Sequence, residues 1–334
     1  MLNQAVFLQL ANLEPQGYQS APIEPQRSRY VRTSSNTAEL QNPYPSLGSF
    51  LEINPIPPSQ NFVPDVPSRR PIPNIILLSS DFCSFYADES SLLLYSNNNF
   101  RGLLPLLSQE REQQHIFLQD VPSSELEFIL RAIYNIPTRT HTVEGNISDF
   151  QILSKCINWL PIFGIQPKSI IVPYTHLFDK ILSFAPLDPL EVYALVAHYD
   201  MHDLAIAVSP HTLPVESSNI TEDLAQRMGA SYLLRLLRLH IGREEILKNL
   251  LGTEPDLHDE TAECGFEDQK SLGRMWNMGV ASLTWFVRAD TATSLIHEII
   301  MAHTGDIVCG ECIKARDARL NTVLTEWSMA VRSI

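Results

Sequence analysis

The residues best suited to chemistry lie near the carboxyl end, where Cys309-Gly-Glu-Cys312 forms a C-x-x-C motif. Two thiolates at this spacing can bind one Zn²⁺ ion. Cys264 lies upstream, and His258 and His303 are nearby in the sequence. A structural Zn²⁺ site needs four protein ligands. One motif and one distant cysteine do not supply them.

Three interpretations of these cysteines stay open. The favoured one is that they are ordinary cysteines of helices and loops, so that the chain holds no metal ligand and needs no cofactor. The alternative is a metal-stabilised protein with a structural Zn²⁺ site, for which Cys264, Cys309 and Cys312 are the candidate ligands. The third is a dithiol redox role, but the motif lacks the strand-helix-strand context of thioredoxin-like proteins.

A second group of polar residues surrounds Asp200. His198 and His202 are four positions apart and could share one helix face. Asp200 and Asp203, however, indicate a helix boundary between the two histidines, which favours surface or packing roles for both. The two aspartates could pair as acid and base, but helix capping is the simpler use.

Common enzyme motifs are missing from the sequence. It contains no glycine-rich phosphate loop, no H-E-x-x-H and no G-x-S-x-G, and only 13 glycines in total. We therefore predict no catalytic residues, no enzymatic activity and no small-molecule substrate.

Charge excludes further classes of function. The 334-residue chain has a formal net charge of -14, and its longest basic run is Arg69-Arg70. Nucleic-acid backbones and anionic membrane surfaces both require a basic patch, so neither is a predicted partner. The acidic stretch around Asp256, Asp259 and Glu260 is predicted to be a solvated loop.

Targeting signals are not found either. No apolar run approaches the roughly 20 residues of a membrane helix, and the amino terminus lacks the basic region of a secretory signal. Five unevenly spaced cysteines do not form a disulfide framework. The predicted location is the cytoplasm, the nucleus or both.

The chain divides into three predicted parts. Residues 1–71 are rich in Pro, Gln and Ser, contain no lysine and show no periodic apolar pattern, which predicts a disordered tail. Its proline pairs at 54–58 and 64–67 could act as extended ligands for an aromatic groove. Residues 72–165 mix strands with helices, and 166–334 are predicted to be mostly helical. The fold class is therefore α+β.

Hydrophobic spacing gives the individual elements. Strands are predicted at 74–78, 83–87 and 115–118. Helices are predicted at 90–104, 122–134, 147–165, 176–184, 189–199, 204–208, 232–251, 266–288, 292–303 and 313–331. Asn219 is a predicted helix cap. The leucines from Leu233 to Leu251 fit core packing best, with a partner groove as the alternative.

A family resemblance rests on the end of the mixed segment. Its residues are Ile116-Phe117-Leu118, then Asp120-Val121, Leu126 and Ile133-Tyr134. This pattern resembles the BTB/POZ domain, and the whole chain resembles fungal BTB-like proteins that carry a helical extension. Leu93 is also in place. Glu89 and Ser90 stand where the family has His-Lys, and Asn97-Asn98-Asn99 replaces Ser-Pro-Phe.

The resemblance implies a protein-interaction module. BTB domains form homodimers, bind transcriptional regulators or bridge substrates to cullin-type ubiquitin ligases. The predicted partners are therefore other proteins, with self-association possible through the helix at 90–104. Its consecutive leucines Leu92, Leu93 and Leu94 span about 200° of the helix circumference. At least one of them should point away from the core.

The predicted tail can be tested by limited proteolysis of the full chain. Because residues 1–71 lack a core pattern, we expect a protease to remove them and to leave a stable fragment that begins near Pro71. Mass spectrometry of the fragment identifies its first residue. A tail that resists digestion together with the rest of the chain would contradict the prediction.

Overall fold

A small sheet begins the part of the chain that this computed structural model describes, residues 72–104, 114–137 and 147–334. Within these residues the strands are β1 (Ile75–Leu78), β2 (Ser84–Ala87) and β3 (Gln114–Phe117), arranged in the order β2-β1-β3. β2 runs antiparallel to β1, whereas β3 runs parallel to it. All three predicted strands are confirmed to within about a residue.

Helices account for most of the remaining described residues, so the predicted mixed α+β class is confirmed at that level. The first is α1 (Glu89–Tyr95). The next are α2 (Ser123–Ile133), α3 (Ile147–Ile157), α4 (Trp159–Ile162), α5 (Pro167–Ile170), α6 (His176–Leu182), α7 (Pro189–His198) and α8 (His202–Thr212). The last four are α9 (Glu222–Leu251), α10 (Phe266–Thr284), α11 (Thr293–Thr304) and α12 (Gly310–Met329).

The single helix predicted at 90–104 is wrong. α1 ends at Tyr95, and Asn99, Phe100, Arg101 and Gly102 then have φ angles of 54°, 50°, 62° and 75°. These four residues form a left-handed turn. Such a turn costs about 1–2 kcal/mol for each residue that has a Cβ atom, so surrounding contacts must stabilise it.

Polar contacts hold this turn against α4. The Ser96 hydroxyl accepts the Phe100 N–H at 2.7 Å and donates to the Phe163 carbonyl at 2.7 Å. The Asn98 side chain accepts the Arg101 N–H at 2.9 Å and donates to the Ile162 carbonyl at 3.0 Å. The asparagines that break the helical pattern therefore have a defined structural role.

Further helix boundaries differ from the prediction. The helix predicted at 147–165 is divided into α3 and α4, α8 extends beyond the predicted 204–208 at both ends, and α10 ends at Thr284 rather than 288. α9 begins ten residues before the predicted 232. Its cap is Thr221, whose hydroxyl accepts the Leu224 N–H at 3.3 Å, rather than Asn219. The backbone of α9 is interrupted at Gly229, where φ is 70°. α12 begins at Gly310 rather than 313, so it includes most of the C-x-x-C motif.

Two apolar cores lie along α9. The larger one contains buried side chains from the sheet, from α2 to α8 and from the first half of α9, ending at Leu236. The second lies between the end of α9 and the last three helices. Its buried members are Leu247, Leu251, Trp276, Leu283, Ile296, Ile300, Leu320, Val323 and Trp327. Core packing, the favoured role for the leucines at 233–251, is thus confirmed for Leu236, Leu247 and Leu251.

Within the described ranges, no helix is both long enough and apolar enough to span a bilayer. The predicted disordered tail, residues 1–71, lies outside the described residues, so it stays a prediction.

The position of Gly164 provides a test of the packing against the left-handed turn. Its φ is 72°, and a Cβ atom there would lie 2.5 Å from Asn98 Oδ1. We expect Gly164→Ala to reduce the free energy of unfolding by about 2–4 kcal/mol, from backbone strain plus displacement of Asn98. Urea denaturation measures this loss.

Gly102→Ala is the matched control, because Gly102 also has a positive φ of 75° but no atom lies within 4 Å of the added Cβ. This substitution should reduce the free energy of unfolding only by the backbone strain, about 1–2 kcal/mol. Equal losses in the two variants would contradict the packing role of Gly164.

Candidate metal centre

Four side chains with metal-binding atoms meet between the connection that follows α9 and the first turn of α12. His258 and Cys264 lie in the connection between α9 and α10, and Cys309 and Cys312 lie at the start of α12. The histidine nitrogen and the three sulphur atoms all lie within 4.8 Å of one another. Residues that are up to 54 positions apart in sequence thus form one cluster.

The distances match the edges of a tetrahedron around a Zn²⁺ ion. His258 Nε2 is 3.5 Å from Cys309 Sγ and 3.3 Å from Cys312 Sγ. Cys264 Sγ and Cys312 Sγ are 3.7 Å apart. With Zn–S near 2.3 Å and Zn–N near 2.0–2.1 Å, a tetrahedral site requires S···S near about 3.8 Å and S···N near about 3.6 Å. These three distances differ from the tetrahedral values by about 0.1–0.3 Å, and the remaining pairs of atoms are at most 4.8 Å apart.

The imidazole is oriented by its other nitrogen. His258 Nδ1 lies 2.7 Å from the Asp259 carbonyl oxygen, to which it donates a hydrogen bond when protonated. This bond raises the pKa of His258. Because the carbonyl accepts the Nδ1 proton, the neutral imidazole keeps its lone pair on Nε2, the nitrogen that faces the sulphur atoms. Histidine ligands of metals are commonly oriented in this way.

Backbone groups favour the thiolate form of Cys309. The N–H groups of Cys312 and Glu311, in the first turn of α12, point at its sulphur. Donation from the Cys312 N–H, above all, lowers the pKa of Cys309 to about 7. This geometry follows from the C-x-x-C spacing, because the first cysteine precedes the helix and the second lies within its first turn.

The other two thiols are buried. Cys264 and Cys312 are each 2% exposed. Burial raises the pKa of Cys264, and burial together with the neighbouring thiols raises the pKa of Cys312 to about 12. The raised pKa values mean that both thiols prefer to stay protonated. A bound cation reverses this preference, since a coordinating thiol is deprotonated outright.

Side chains of α10 and α12 donate hydrogen bonds to the backbone at the end of α9 and at the start of the loop that carries His258. The Trp276 indole N–H donates to the Leu251 carbonyl at 3.0 Å. The Arg319 guanidinium, from α12, donates to the Thr253 carbonyl at 3.1 Å and also to the Leu250 carbonyl. These donors satisfy carbonyl groups at the end of α9 that have no partner within the helix. They place the loop against α12.

The rest of this loop closes as a short turn. Thr261 and Cys264 form an isolated antiparallel bridge, with N···O distances of 3.0 and 3.3 Å. The turn returns the chain toward His258, so that Cys264 points at the same centre. Gly265 then donates its N–H to the Asp268 carboxylate at 3.0 Å as α10 begins.

The second connection, between α11 and α12, is also fixed by α12. Arg316 donates to the Thr304 carbonyl at 3.1 Å, and the Thr304 hydroxyl donates to the Ile300 carbonyl at 2.7 Å. Arg316 is 6% exposed and also contacts the Asp317 carboxylate. The end of α11 is thereby held beside the helix whose first turn contains the motif.

The structure brings together some, but not all, of the residues considered as metal ligands from the sequence. Cys264, Cys309 and Cys312 are brought together, as the structural zinc alternative requires. His258 completes the set, although nothing in the sequence distinguishes it from His303. His303 lies on α11 and is not a member of the group.

The residues around Asp200 form no comparable site. His198 ends α7 and His202 begins α8, and Asp200 between them has a φ of 54°, so the two histidines do not share a helix face. Asp200 pairs with Lys168 at 2.9 Å and accepts the Tyr232 hydroxyl at 2.9 Å. These contacts, Lys168 first, lower the pKa of Asp200, which makes it a poor proton donor.

Comparison with known proteins finds no matching family model, no similar curated protein and no similar solved structure. The BTB/POZ resemblance therefore remains a prediction.

Proposed function

We propose that this chain is a non-enzymatic protein whose carboxyl-terminal helices are stabilised by a structural Zn²⁺ ion bound to His258, Cys264, Cys309 and Cys312. The observation that carries the proposal is the close placement of three sulphur atoms and one imidazole nitrogen, all within 4.8 Å of one another. Thiolates and imidazole form the ligand set that suits Zn²⁺, whereas Mg²⁺ and Ca²⁺ prefer oxygen ligands.

A structural role is favoured over a catalytic one by the number of ligands. Four protein ligands complete the tetrahedral coordination of Zn²⁺, whereas catalytic zinc sites keep one position for water or substrate. The site also joins two interhelical connections to the first turn of α12. A metal ion here would hold α10, α11 and α12 together around the smaller of the two cores.

Zinc content and stability test this proposal. We expect the purified protein to contain about one Zn²⁺ per chain by elemental analysis. Cys309→Ser combined with Cys312→Ser should abolish zinc binding and unfold or strongly destabilise the carboxyl-terminal helices. Structural zinc contributes on the order of 10 kcal/mol in small zinc domains. Circular dichroism and thermal unfolding report the loss.

The matched control replaces two cysteines outside the cluster, Cys83→Ser with Cys156→Ser, and should leave the zinc content unchanged. If the cysteines are ordinary helix and loop residues, the pair at 309 and 312 can be replaced with little change in the thermal midpoint. That result, in a wild-type protein that lacks zinc, would contradict the metal centre.

We also propose, as a second candidate function, that residues 72–165 are a BTB-like protein-interaction domain. The order of strands, α1, β3 and α2 supports it. Two contacts involve residues of the family pattern. Asp120 forms a two-point ion pair with Arg101, at 2.9 and 3.0 Å, and the Tyr134 hydroxyl accepts the Asp88 N–H at 2.9 Å.

Val121 and Leu126, the apolar members of the same pattern, are fully buried. The pattern thus coincides with packing and capping positions in this half of the chain. In this proposal the domain binds itself or recruits another protein, such as a transcriptional regulator or a cullin-type ligase, in the cytoplasm or the nucleus. No small-molecule substrate is involved.

Leu94 offers a test of self-association through this half of the chain. Of the three consecutive leucines, Leu92 is fully buried and Leu94 is 74% exposed. If α1 forms part of an interface, Leu94→Glu should reduce the apparent mass of the full chain at tens of micromolar in sedimentation velocity. Burial of a charged side chain in place of leucine opposes association.

Leu187→Glu is the control, because Leu187 is also an exposed leucine, 52% accessible, on the turn after α6. It should leave the mass unchanged. An unchanged mass for Leu94→Glu would rule out α1 as the self-association surface.

A further inference from the structure

The outward face of α9 carries large apolar side chains that none of the described helices covers. Leu234 is 48% exposed, Ile241 is 47% exposed and Ile246 is 40% exposed. Leu234, Arg238, Ile241 and Glu245 follow one another at spacings of four, three and four residues. That spacing places them in a single seam along the helix, as in a coiled coil.

A groove runs beside this seam at Gly242. It has a volume of about 320 Å³ and is lined by Leu239, Gly242, Ile246, Val331 and Ile334, together with arginines of α9. A Cβ atom added at Gly242 would meet no atom within 4 Å. The helix backbone is therefore open to close approach at this point.

The far wall of the groove is held in place by Arg243. This buried guanidinium donates to the carbonyl groups of Ala330 and Val331 at 2.9 and 2.8 Å, and it lies 4.2 Å from the centre of the Trp327 ring. The segment after α12 is therefore fixed beside α9, and the groove is a formed feature of the surface.

Charge along the seam changes sign at its middle. Arg235 and Arg238 precede Ile241, and the segment 234–243 contains no carboxylate. Glu244 and Glu245 follow it. Arg238 and Glu245 are both exposed, and neither side chain forms a hydrogen bond or an ion pair with any residue in the described ranges. A partner surface that matches this one must present the opposite order of charges.

We infer that this face binds a second copy of the chain, with the two α9 helices packed antiparallel around a two-fold axis near Ile241 and Gly242. In that register Arg238 lies opposite Glu245 of the second copy, because these two residues are seven positions apart and share one helix face. The two Ile241 side chains and the two Gly242 backbones then meet at the axis. One helix face thus supplies both the apolar and the charged halves of the contact.

Two features favour a copy of the same chain over an unrelated protein. The face is self-complementary about one point, which a two-fold interface requires, since residue i then contacts residue j and residue j contacts residue i. The reversal of charge also selects one orientation. A parallel pair in register would place Arg238 against Arg238 and Glu245 against Glu245, and this arrangement is repulsive. The contact is independent of the metal centre and of the Leu94 surface.

Charge reversal in the full-length Leu94→Glu protein tests this interface, because that background removes any association through α1. Arg238→Glu alone, and Glu245→Arg alone, should each raise the dimer dissociation constant by about tenfold or more in sedimentation velocity. The double variant should restore it to within about threefold of the parent, because every contact across the two-fold axis then has its charges exchanged. Arg274→Glu, on the exposed side of α10, is the control for net charge.

Apolar variants test the same register. Ile241→Asp should abolish the dimer, and Gly242→Ala should weaken it, because the added Cβ atom meets no atom of its own chain within 4 Å but lies at the axis. Zinc content and circular dichroism must match the parent in each variant, which separates this test from that of the metal centre. A monomeric Leu94→Glu parent at tens of micromolar would overturn the inference. A double charge variant that remains dissociated would overturn it as well.

Discussion

The meeting of three thiols and one imidazole is the contact that joins the connection after α9 to the first turn of α12. Cys309 and Cys312 fix the first turn of α12, while His258 and Cys264 bring the connection after α9 to the same point. The core that these elements surround is small, with nine fully buried apolar members. Small cores often need a metal or a disulfide to supply enough stability. A Zn²⁺ ion at this position would meet that need.

Side chains of α12 also bind the backbone of the chain segments next to the cluster. Arg316 donates to the carbonyl of Thr304, the last residue of α11, and Arg319 donates to the carbonyl groups of Leu250 and Thr253, at and just after the end of α9. A helix end leaves up to four carbonyls without intrahelical partners, and a buried carbonyl without a partner is costly. The start of α12 thus provides two thiols of the cluster, and the same helix provides the donors that hold the neighbouring connections. A single helix determines where the ligands from elsewhere in the chain can lie.

α9 connects this half to the rest of the molecule. Its first part packs on α7 within the larger core, and its last turns enter the smaller one. Because one side of the helix is committed to both cores, its opposite side is the surface available to a partner. The break at Gly229 lets the chain enter this helix from a different direction, which a residue with a Cβ atom would do only with strain.

Much of the fold could be predicted from periodicity. The three strands, the position of α2 and most later helices follow from spacings of two and of three to four apolar residues, since these spacings produce one buried face. The left-handed turn at Asn99–Gly102 could not. It exists because contacts with Phe163 and Ile162 outweigh the local preference of the backbone. Local patterns do not report contacts of that kind.

The same distinction applies to the candidate site. The sequence by itself determined that Cys309 and Cys312 could bind one metal ion, because a C-x-x-C spacing at a helix start brings two sulphur atoms together locally. It also determined the net charge of -14 and the lack of common enzyme motifs. Only the tertiary structure decided that His258 rather than His303 completes the cluster. That choice depends on how Arg319 and Trp276 hold the loop after α9, and such long-range hydrogen bonds leave no trace in the spacing of residues.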